Sequence, residues 1–238
     1  MSMQQEEEQV KEKPPKERAP FVRRYKWRMD RDYIDKKGFK HQEHQILKKE
    51  GLTARDLCGE GSEIFKYHKP KVRWSKLPIR WAYDKNFEGF DVVGRKGRDA
   101  VEAAFAHYNT IGSKAIFAYD VNNPQLVVNT RKIDGQWNQV GVTYYTWKGV
   151  GATAYIQSAR ITLDLEENWF VSTQEVCGTR GDKLDIQNAF THELGHAIGL
   201  AHSTDKLSSM YPQIRPGETL RRTLSKGDVL GIKTLYKI

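Results

Sequence analysis

The clearest hydrophobic periodicity in the chain lies between residues 97 and 111, where apolar side chains recur at the spacing of an α-helix. Four of them stand at positions i, i+3, i+4 and i+7, and Gly112 follows the last turn. They are Val101, Ala104, Phe105 and Tyr108. Side chains at this spacing line one face of a helix, so the pattern predicts an amphipathic helix over 97–111.

Alternating apolar and polar positions on both sides of that helix predict short β-strands, which turn signals such as Asn-Pro and Asp-Gly separate. The predicted strands are 77–83, 115–119, 125–130, 140–147, 151–157 and 159–164. Two further helices are predicted at 183–199 and 225–236, the second with Ser225 as its N-cap. This order of elements indicates an α+β domain with a mixed, mostly parallel sheet.

Charged residues are denser in the first 70 residues, where they number 30, than in the other 168, where they number 39. Residues 1–20 contain three prolines and few apolar groups, so we expect a disordered charged tail. Scattered aromatic side chains in 21–70 favour an N-terminal extension that docks on another surface without a core of its own. We therefore place one folded domain at 71–238.

The formal charge of +9 is spread along the chain rather than gathered in one patch. Such a spread predicts no specific nucleic-acid site, although a basic, aromatic N-terminal arm that tethers the protein to a polyanion is an alternative. No apolar run reaches membrane-spanning length, so we expect no transmembrane segment. No signal peptide is visible, so we expect a cytoplasmic protein if Met1 is the natural start and a secreted one if a signal was removed.

The strongest chemical signal is the segment from His192 to His202, which reads H-E-x-x-H-x-x-G-x-x-H. Residues four apart lie on one face of a helix, so His192 and His196 can face the same ion, with Glu193 beside them. Gly199 can adopt the positive φ that ends a helix, which would turn His202 toward that ion. Three imidazoles leave the fourth position of Zn²⁺ open, as in catalytic sites.

This motif and the residues after it resemble the matrixins, the metzincin branch that contains the matrix metalloproteinases and compact microbial relatives. Met210 stands eight residues after His202, at the Met-turn spacing of that family, and the resemblance covers about 71–238. It implies a zincin-like α+β domain with a twisted, mixed five-stranded sheet. A backing helix, an active-site helix and a C-terminal helix after the Met-turn complete that domain.

The resemblance also implies the activity of a zinc-dependent endopeptidase, which we expect to act as a monomer on protein or peptide substrates. His192, His196 and His202 would bind one catalytic zinc, and Glu193 would act as general base toward a zinc-activated water. The alternative is a latent or non-enzymatic binding module whose cleft the N-terminal extension covers. The intact Glu193 argues against that alternative.

Two segments resemble the substrate-binding parts of the family. The first looks like its upper-rim edge strand, which holds an extended peptide through backbone hydrogen bonds; it comprises Gly151, Ala152, Thr153 and Ala154. The second corresponds to the outer wall of the S1′ pocket and comprises Tyr211, Pro212, Gln213 and Ile214. Family members often have tyrosine where Ile214 stands, which leaves the S1′ preference open.

A second resemblance suggests a calcium site. Asp164, Glu167 and Trp169 repeat the D-x-x-E-x-W pattern of the family. In matrixins this Asp and Glu help to bind structural calcium, and oxygen ligands suit Ca²⁺. A solvated acidic turn is the alternative. The histidines of a second, structural zinc in animal members correspond to Thr153 and Thr162 here, so we predict that this zinc is absent.

The two cysteines, Cys58 and Cys177, can form one disulfide or remain unpaired thiols. The resemblance offers a third interpretation, in which the Cys58 thiolate caps the zinc as in latent family members. Residues 21–70 would then be a pro-segment. The residues around Cys58 lack the Pro-Arg and Pro-Asp pairs of that switch, so we rank this interpretation second.

Overall fold

The structure, a computed structural model, describes residues 45–46, 59–85, 87, 95–149, 153–172, 176–177 and 182–238. The predictions for the charged tail, for most of the extension, and for Cys58, Gly151 and Ala152 therefore lie outside the described residues. In the part of the chain that is described, no helix combines the length and apolar character needed to cross a membrane.

The order of elements is the predicted alternation of strands and helices. The described helices are α1 (Arg95–Tyr108), α2 (Ile186–Ala197) and α3 (Lys226–Tyr236), with a 3₁₀ helix at Leu220–Arg222. The described strands are β1 (Gln45–Ile46), β2 (Lys66–Tyr67), β3 (Lys71–Trp74), β4 (Ile79–Tyr83), β5 (Phe117–Tyr119), β6 (Leu126–Arg131), β7 (Gly141–Lys148), β8 (Thr153–Asp164), β9 (Trp169–Phe170), β10 (Val176–Cys177), β11 (Leu184–Asp185) and β12 (Leu200–Ala201).

The main sheet is mixed and mostly parallel, and it confirms the predicted α+β class. Five strands run parallel in the order β3-β8-β6-β4-β5, and β7 pairs antiparallel with β8. The sheet therefore has six strands where five were expected, because β3 adds to the N-terminal half of β8. The long strand β8 is the centre of this arrangement, since it pairs with β3, β6 and β7.

The prediction of separate strands at 151–157 and 159–164 is wrong for the described residues, whereas the substrate-binding edge predicted for Gly151, Ala152, Thr153 and Ala154 stays a prediction. Thr153 to Asp164 form one strand, and Thr153 and Ala154 pair with β3. The polar pair Gln157-Ser158 does not break the strand. Ser158 pairs with Thr146, their Oγ and Oγ1 atoms lie 2.8 Å apart, and the register shift beside them leaves Gln157 as an extra residue of β8. Among the described strands, β7 pairs with β8 alone and forms one edge of the sheet, whereas β5 forms the opposite edge.

The predicted apolar face of α1 packs into the core. Val101, Ala104, Phe105 and Tyr108 are all buried, although the helix begins at Arg95 and ends earlier than expected. Phe105 stacks on Trp81 of β4 with ring centroids 3.8 Å apart. Burial of such a side chain stabilises the fold by about 1.5–3 kcal/mol. Tyr108 also donates from its hydroxyl to the Thr191 carbonyl at 2.8 Å, which ties α1 to α2.

Residues 59–68, which we call the N-terminal strap, pack against the folded domain. Its strand β2 pairs antiparallel with β12. The Ser62 main-chain N donates to the Asp205 carboxylate at 2.6 Å, and Lys226 N donates to the Glu60 carbonyl at 2.9 Å. A Cβ atom on Gly227 would lie 2.4 Å from a strap carbonyl, so glycine permits this close approach. The strap thus crosses both the start of α3 and the segment around His202.

Candidate metal centre

The N-terminus of α2 is fixed by a buried carboxylate. Asp185 caps the helix and accepts from the Asn188 main-chain N at 2.9 Å. Arg222 donates to both oxygens of the same carboxylate, at 2.9 and 2.6 Å, so the cap is also one half of a buried bidentate ion pair. With the first turn held in this way, His192 and His196 lie one turn apart on the same helical face.

The chain leaves α2 through Gly199, whose φ of 109° lies in the left-handed region that favours glycine. A Cβ atom at this position would lie 2.2 Å from the carbonyl oxygen of Val72, so a larger residue does not fit. Strand β12 follows and pairs with the strap, which directs the chain to His202. The prediction that Gly199 turns the chain after the helix is confirmed.

His192, His196 and His202, which we call the histidine cluster, point their rings at one place. The Nε2 atom of His202 lies 3.2 Å from Nε2 of His192 and 3.2 Å from Nε2 of His196. Two nitrogens bound to one tetrahedral zinc at 2.0–2.1 Å lie about 3.3–3.4 Å apart, so these separations fit that ion. Within the described ranges, no other three histidine, cysteine or carboxylate side chains converge in this way.

Two main-chain carbonyls set the orientation of these rings. Nδ1 of His192 lies 2.6 Å from the Ser209 carbonyl oxygen, and Nδ1 of His196 lies 2.9 Å from that of Leu200. A carbonyl oxygen accepts and cannot donate, so Nδ1 carries the proton and Nε2 presents a lone pair on both rings. These two lone pairs are directed at the place that Nε2 of His202 also reaches, so a cation there could be bound by all three rings. The donor set therefore fits a metal ion.

Burial keeps these imidazoles neutral. It lowers the pKa of His196 to about 4, and burial with a smaller contribution from His196 lowers the pKa of His202 to about 2. The pKa of His192 is also well below its usual value, first because of burial and then because of the two neighbouring rings. Neutral imidazole is the form that binds zinc, so the cluster needs no deprotonation at neutral pH.

The strap contributes a fourth histidine, which the sequence analysis did not single out. His68 is buried, and its ring centroid lies 5.6 Å from that of His196 and 5.7 Å from that of Tyr145. Burial, followed by the proximity of His196 and His202, lowers the pKa of His68 to about 2. His68 precedes the motif by a large part of the chain, so no local spacing could have connected the two.

Met210 is buried against α2, and the chain around it forms a tight turn. A Cβ atom on Gly195 would lie 2.1 Å from Met210 Sδ, so the glycine allows the methionine to approach the helix between the first two histidines. Ser203 N donates to the Met210 carbonyl at 2.8 Å, and Tyr211 N donates to the Ser208 carbonyl at 3.1 Å. This turn lies where the Met-turn was predicted, and its contribution to the centre stays a prediction.

The carboxylate of Asp228 on α3 supports the same turn. Its Oδ2 accepts from Ser209 N at 2.8 Å and from Ser209 Oγ at 2.5 Å, and its Oδ1 accepts from Ser208 Oγ at 2.6 Å. Ser225, the predicted N-cap, forms a capping box with it. Because the Ser209 carbonyl accepts from His192, Asp228 acts on the cluster through Ser209. The S-x-x-D pattern signals the cap but not this second contact.

Glu193 is buried, and its carboxylate is oriented by a residue that the sequence analysis missed. Thr143 Oγ1 on β7 donates to Glu193 Oε2 at 2.6 Å. Nothing in the local sequence connects this threonine to the motif, because β7 reaches α2 only through the tertiary fold. The assignment of Glu193 as general base stays a prediction.

The segment proposed as the S1′ wall is anchored by a buried arginine. The Arg221 guanidinium donates to the Gln213 carbonyl and lies over the Tyr211 ring, 5.1 Å from its centroid. Glu218 pairs with it at 3.5 Å, and Ile214 is buried. Arg221 therefore fixes the wall from behind, whereas the prediction that Tyr211 to Ile214 contact substrate remains to be tested.

The D-x-x-E-x-W segment lies beside the loop at 133–139. We call Asp134, Asp164, Glu166 and Glu167 the acidic cluster. Asp164 accepts from the main-chain N of Ile133 at 3.1 Å and of Asp134 at 3.3 Å, and Glu167 Oε1 accepts from Trp137 N at 2.8 Å. These amides already occupy several of the carboxylate oxygens.

One oxygen of the acidic cluster, Glu167 Oε2, is buried without a hydrogen-bond donor of regular geometry among the described residues. Burial is the main cause that raises the pKa of Glu167 to about 7, with a further contribution from Asp164 and Asp134. Burial also raises the pKa of Asp164. Negative charge is thus crowded here, which is an arrangement that a divalent cation would relieve.

The predictions for the second zinc and the cysteines stay predictions. Thr162 is buried in β8, and the backbone of Thr153 pairs with Lys71. Cys177 is described as the backbone partner of Gln45 between β10 and β1, and Cys58 is not described.

Three neutral imidazoles, two of them buried and that of His202 half-buried, converge on one point beside a buried glutamate, and this makes the centre that of a metallopeptidase-like protein. The family model for matrixin matches residues 73–237, which is more than half of the chain. The chain therefore belongs to the matrixin family, whose members are zinc metalloendopeptidases.

Individual relatives match shorter stretches. Metalloendoproteinase 1-MMP of Arabidopsis thaliana is 36% identical over 80 residues, which are 34% of this chain and 21% of that protein. Metalloendoproteinase 1 of Glycine max is 35% identical over 79 residues, or 33% of this chain and 26% of that protein. Human matrilysin is 33% identical over 105 residues, or 43% of this chain and 33% of that protein. The matches thus span about a fifth to a third of these curated relatives.

Proposed function

We propose that this chain is a zinc-dependent endopeptidase in which Glu193 acts as the general base. The observation that carries the proposal is the convergence of three Nε2 atoms, with separations of 3.2 Å from His202 to each of the other two. The family match supports the same chemistry and does not favour a non-enzymatic binding module.

The residues divide the work in the following way. His192, His196 and His202 would hold the ion. The carbonyls of Ser209 and Leu200 would keep the rings of His192 and His196 directed at it. Zinc held by three imidazoles supplies a Lewis acid that activates water and polarises a peptide carbonyl. The Glu193 carboxylate would take a proton from the attacking water and deliver it to the leaving amine.

The substrate would lie extended along β7 rather than along residues 151–154. β7 pairs with β8 alone among the described strands, so its outer edge can pair with a peptide in the manner of an added strand. Tyr211, Pro212, Gln213 and Ile214 would then face the side chain that follows the cleaved bond. Backbone pairing of this kind tolerates many substrate sequences, and the wall adds selectivity.

Cleavage of a diverse peptide mixture tests the proposal, with Glu193→Ala as the paired variant. We expect the variant to keep one zinc per chain and to lose activity by at least about 10²–10⁴-fold, the usual contribution of a general base. Addition of a chelator to the wild type should abolish cleavage, and zinc should restore it. An active Glu193→Ala protein would refute the assignment.

We also propose that Asp164 and Glu167 hold a structural calcium ion. The buried Glu167 Oε2 and the crowded carboxylates around it support this proposal. The ion would offset the charge that the loop amides leave uncompensated. Calcium should raise the melting temperature of the wild type and have no effect on Glu167→Gln; equal responses of the two proteins would exclude Glu167 as a ligand.

A further inference from the structure

The inner face of β7 meets the Glu193 side chain at two positions. Gly141 and Thr143 are two residues apart on this strand, so they lie on the same face of the sheet. A Cβ atom built on Gly141 would lie 3.3 Å from Glu193 Cγ and 3.3 Å from Glu193 Oε1. The strand thus leaves room for the Glu193 carboxylate at Gly141 and donates a hydrogen bond to it from Thr143.

The contact from Thr143 is short and buried. Its Oγ1 lies 2.6 Å from Glu193 Oε2 and 3.0 Å from the main-chain carbonyl oxygen of Glu193. A hydroxyl has one proton to donate, and the shorter distance assigns it to Oε2. A hydroxyl bonded to a carboxylate oxygen forms a charge-assisted hydrogen bond, which is shorter and about twice as strong as a neutral one.

We propose that Thr143 is a positioning residue that holds the Glu193 carboxylate through Oε2 and so makes Oε1 the oxygen that receives the proton. Gly141 allows this pose, because any side chain at that position would press on Oε1. The proposal rests on the proposed function of Glu193 and adds the residue that orients it.

The position of Thr143 also connects the base to the substrate. β7 is the edge strand along which we expect a peptide to pair, and its inner-face hydroxyl fixes the carboxylate. A shift of β7 would therefore move the peptide and the base together. This arrangement keeps the two in register while substrates of different sequence bind.

Steady-state kinetics of Thr143→Val and Thr143→Ser test the inference, with Thr110→Val as the matched control. Valine keeps the shape of threonine without the hydroxyl, and serine keeps the hydroxyl. Thr110 is exposed just after α1, outside β7, and its hydroxyl donates to the His107 carbonyl at 2.7 Å. We expect kcat of Thr143→Val to fall about 10–100-fold, as for other supporting partners of a metal site. KM and zinc content should stay near their wild-type values, because the Thr143 hydroxyl contacts Glu193, which would not bind the zinc.

Thr143→Ser should recover most of kcat, and Thr110→Val should resemble the wild type. An unchanged kcat in Thr143→Val would overturn the inference. Equal loss of zinc in the valine and serine variants would also overturn it, because the residue would then be structural.

A second measurement does not need peptidase activity. Melting temperatures of Thr143→Val, Glu193→Ala and the double variant form a cycle that reports the coupling between the two side chains. We expect the two shifts to be non-additive by about 3–12 °C, because one charge-assisted hydrogen bond is removed by either change. Additive shifts would overturn the inference. If the shifts are clearly non-additive but the protein cleaves no peptide, the proposed peptidase function is refuted, whereas the hydrogen bond between Thr143 and Glu193 is supported.

Discussion

The histidine cluster and the acidic cluster both consist of side chains of types that can bind metal ions, yet the surrounding chain makes different contacts with them. In the histidine cluster, Nδ1 of His192 and Nδ1 of His196 each lie beside a carbonyl oxygen, and their Nε2 atoms each lie 3.2 Å from Nε2 of His202. In the acidic cluster, main-chain amides already donate to Asp164 and Glu167. The histidine nitrogens are thus directed at one place where an ion could bind, whereas the carboxylate oxygens of the acidic cluster already accept hydrogen bonds from the loop at 133–139.

The difference follows from how each group is assembled. The three histidines come from one short segment, so helix geometry and a single glycine bring them together. The acidic cluster joins the end of β8 to a loop about 30 residues earlier, and amides of that loop neutralise part of the charge. If the proposed ions bind, we therefore expect the histidine cluster to depend on its zinc, whereas calcium would only reinforce a contact that the acidic cluster already makes with the loop.

The largest expected effect is loss of zinc from His202→Ala. Two ligands remain, so zinc affinity should fall by roughly 10³-fold or more. Competition with a chelator of known affinity measures the change. His107→Ala is the matched control, because His107 accepts from the Leu224 main-chain N and lies outside the cluster. Unchanged zinc affinity in His202→Ala would show that His202 is not a ligand and would contradict the assignment of the histidine cluster as the zinc site.

Metal removal should give the second largest effect. If zinc is present at about 1,000 times its dissociation constant, its removal costs about 4 kcal/mol and lowers the melting temperature by roughly 8–16 °C. A calcium-selective chelator should produce a smaller decrease, because loop amides still bind the acidic cluster. Differential scanning calorimetry with each chelator ranks the two sites, and a larger effect of calcium removal would reverse the ranking.

A smaller effect is expected for Asp228→Asn, which acts on the histidine cluster through Ser209. The amide nitrogen would replace an accepting oxygen with a donor facing the Ser208 hydroxyl or the Ser209 amide, and the turn would shift. Zinc affinity should fall about 10–100-fold, as for other outer partners of metal ligands. Asp120→Asn is a suitable control, because Asp120 pairs with Arg80 at the surface. Equal affinities in both variants would show that the turn does not orient His192.

The smallest effect should be the pH dependence that Glu167 contributes. Its folded pKa of about 7 lies above the ordinary value of 4.5, so the folded protein binds more protons than the unfolded chain between these values. Stability should therefore fall as pH rises through this window. Melting temperatures at pH 5 and pH 8 without calcium should differ less in Glu167→Gln than in wild type. Glu166→Gln, an exposed neighbour, serves as control, and identical profiles for all three proteins would contradict the assignment.

The sequence was informative where the relevant geometry is local. The apolar face of α1 followed from helical spacing, and the capping of α3 by Ser225 followed from residue type. Gly199 was expected to turn the chain because few residues adopt a positive φ, and its φ is 109°. The division of β8 into two strands was wrong because Gln157 and Ser158 look like a turn in isolation. In the structure Ser158 pairs with Thr146 of β7, and Gln157 is an extra residue of β8 where the register shifts.

The residues that orient Glu193 and the histidine cluster could not be predicted from the sequence. Thr143 contacts Glu193 across 50 residues, and Ser209 contacts Asp228 across 19. His68 reaches the cluster from the strap. Each contact depends on how strands and helices pack, and no spacing rule spans such separations.

The amino-acid sequence by itself determined which side chains can bind the metal, because residue type and helical spacing act within one short segment. The tertiary structure alone decided which strand forms the sheet edge and which hydroxyl orients Glu193. Both depend on strand pairing and register, and pairing energies come from contacts between segments that are far apart in the chain.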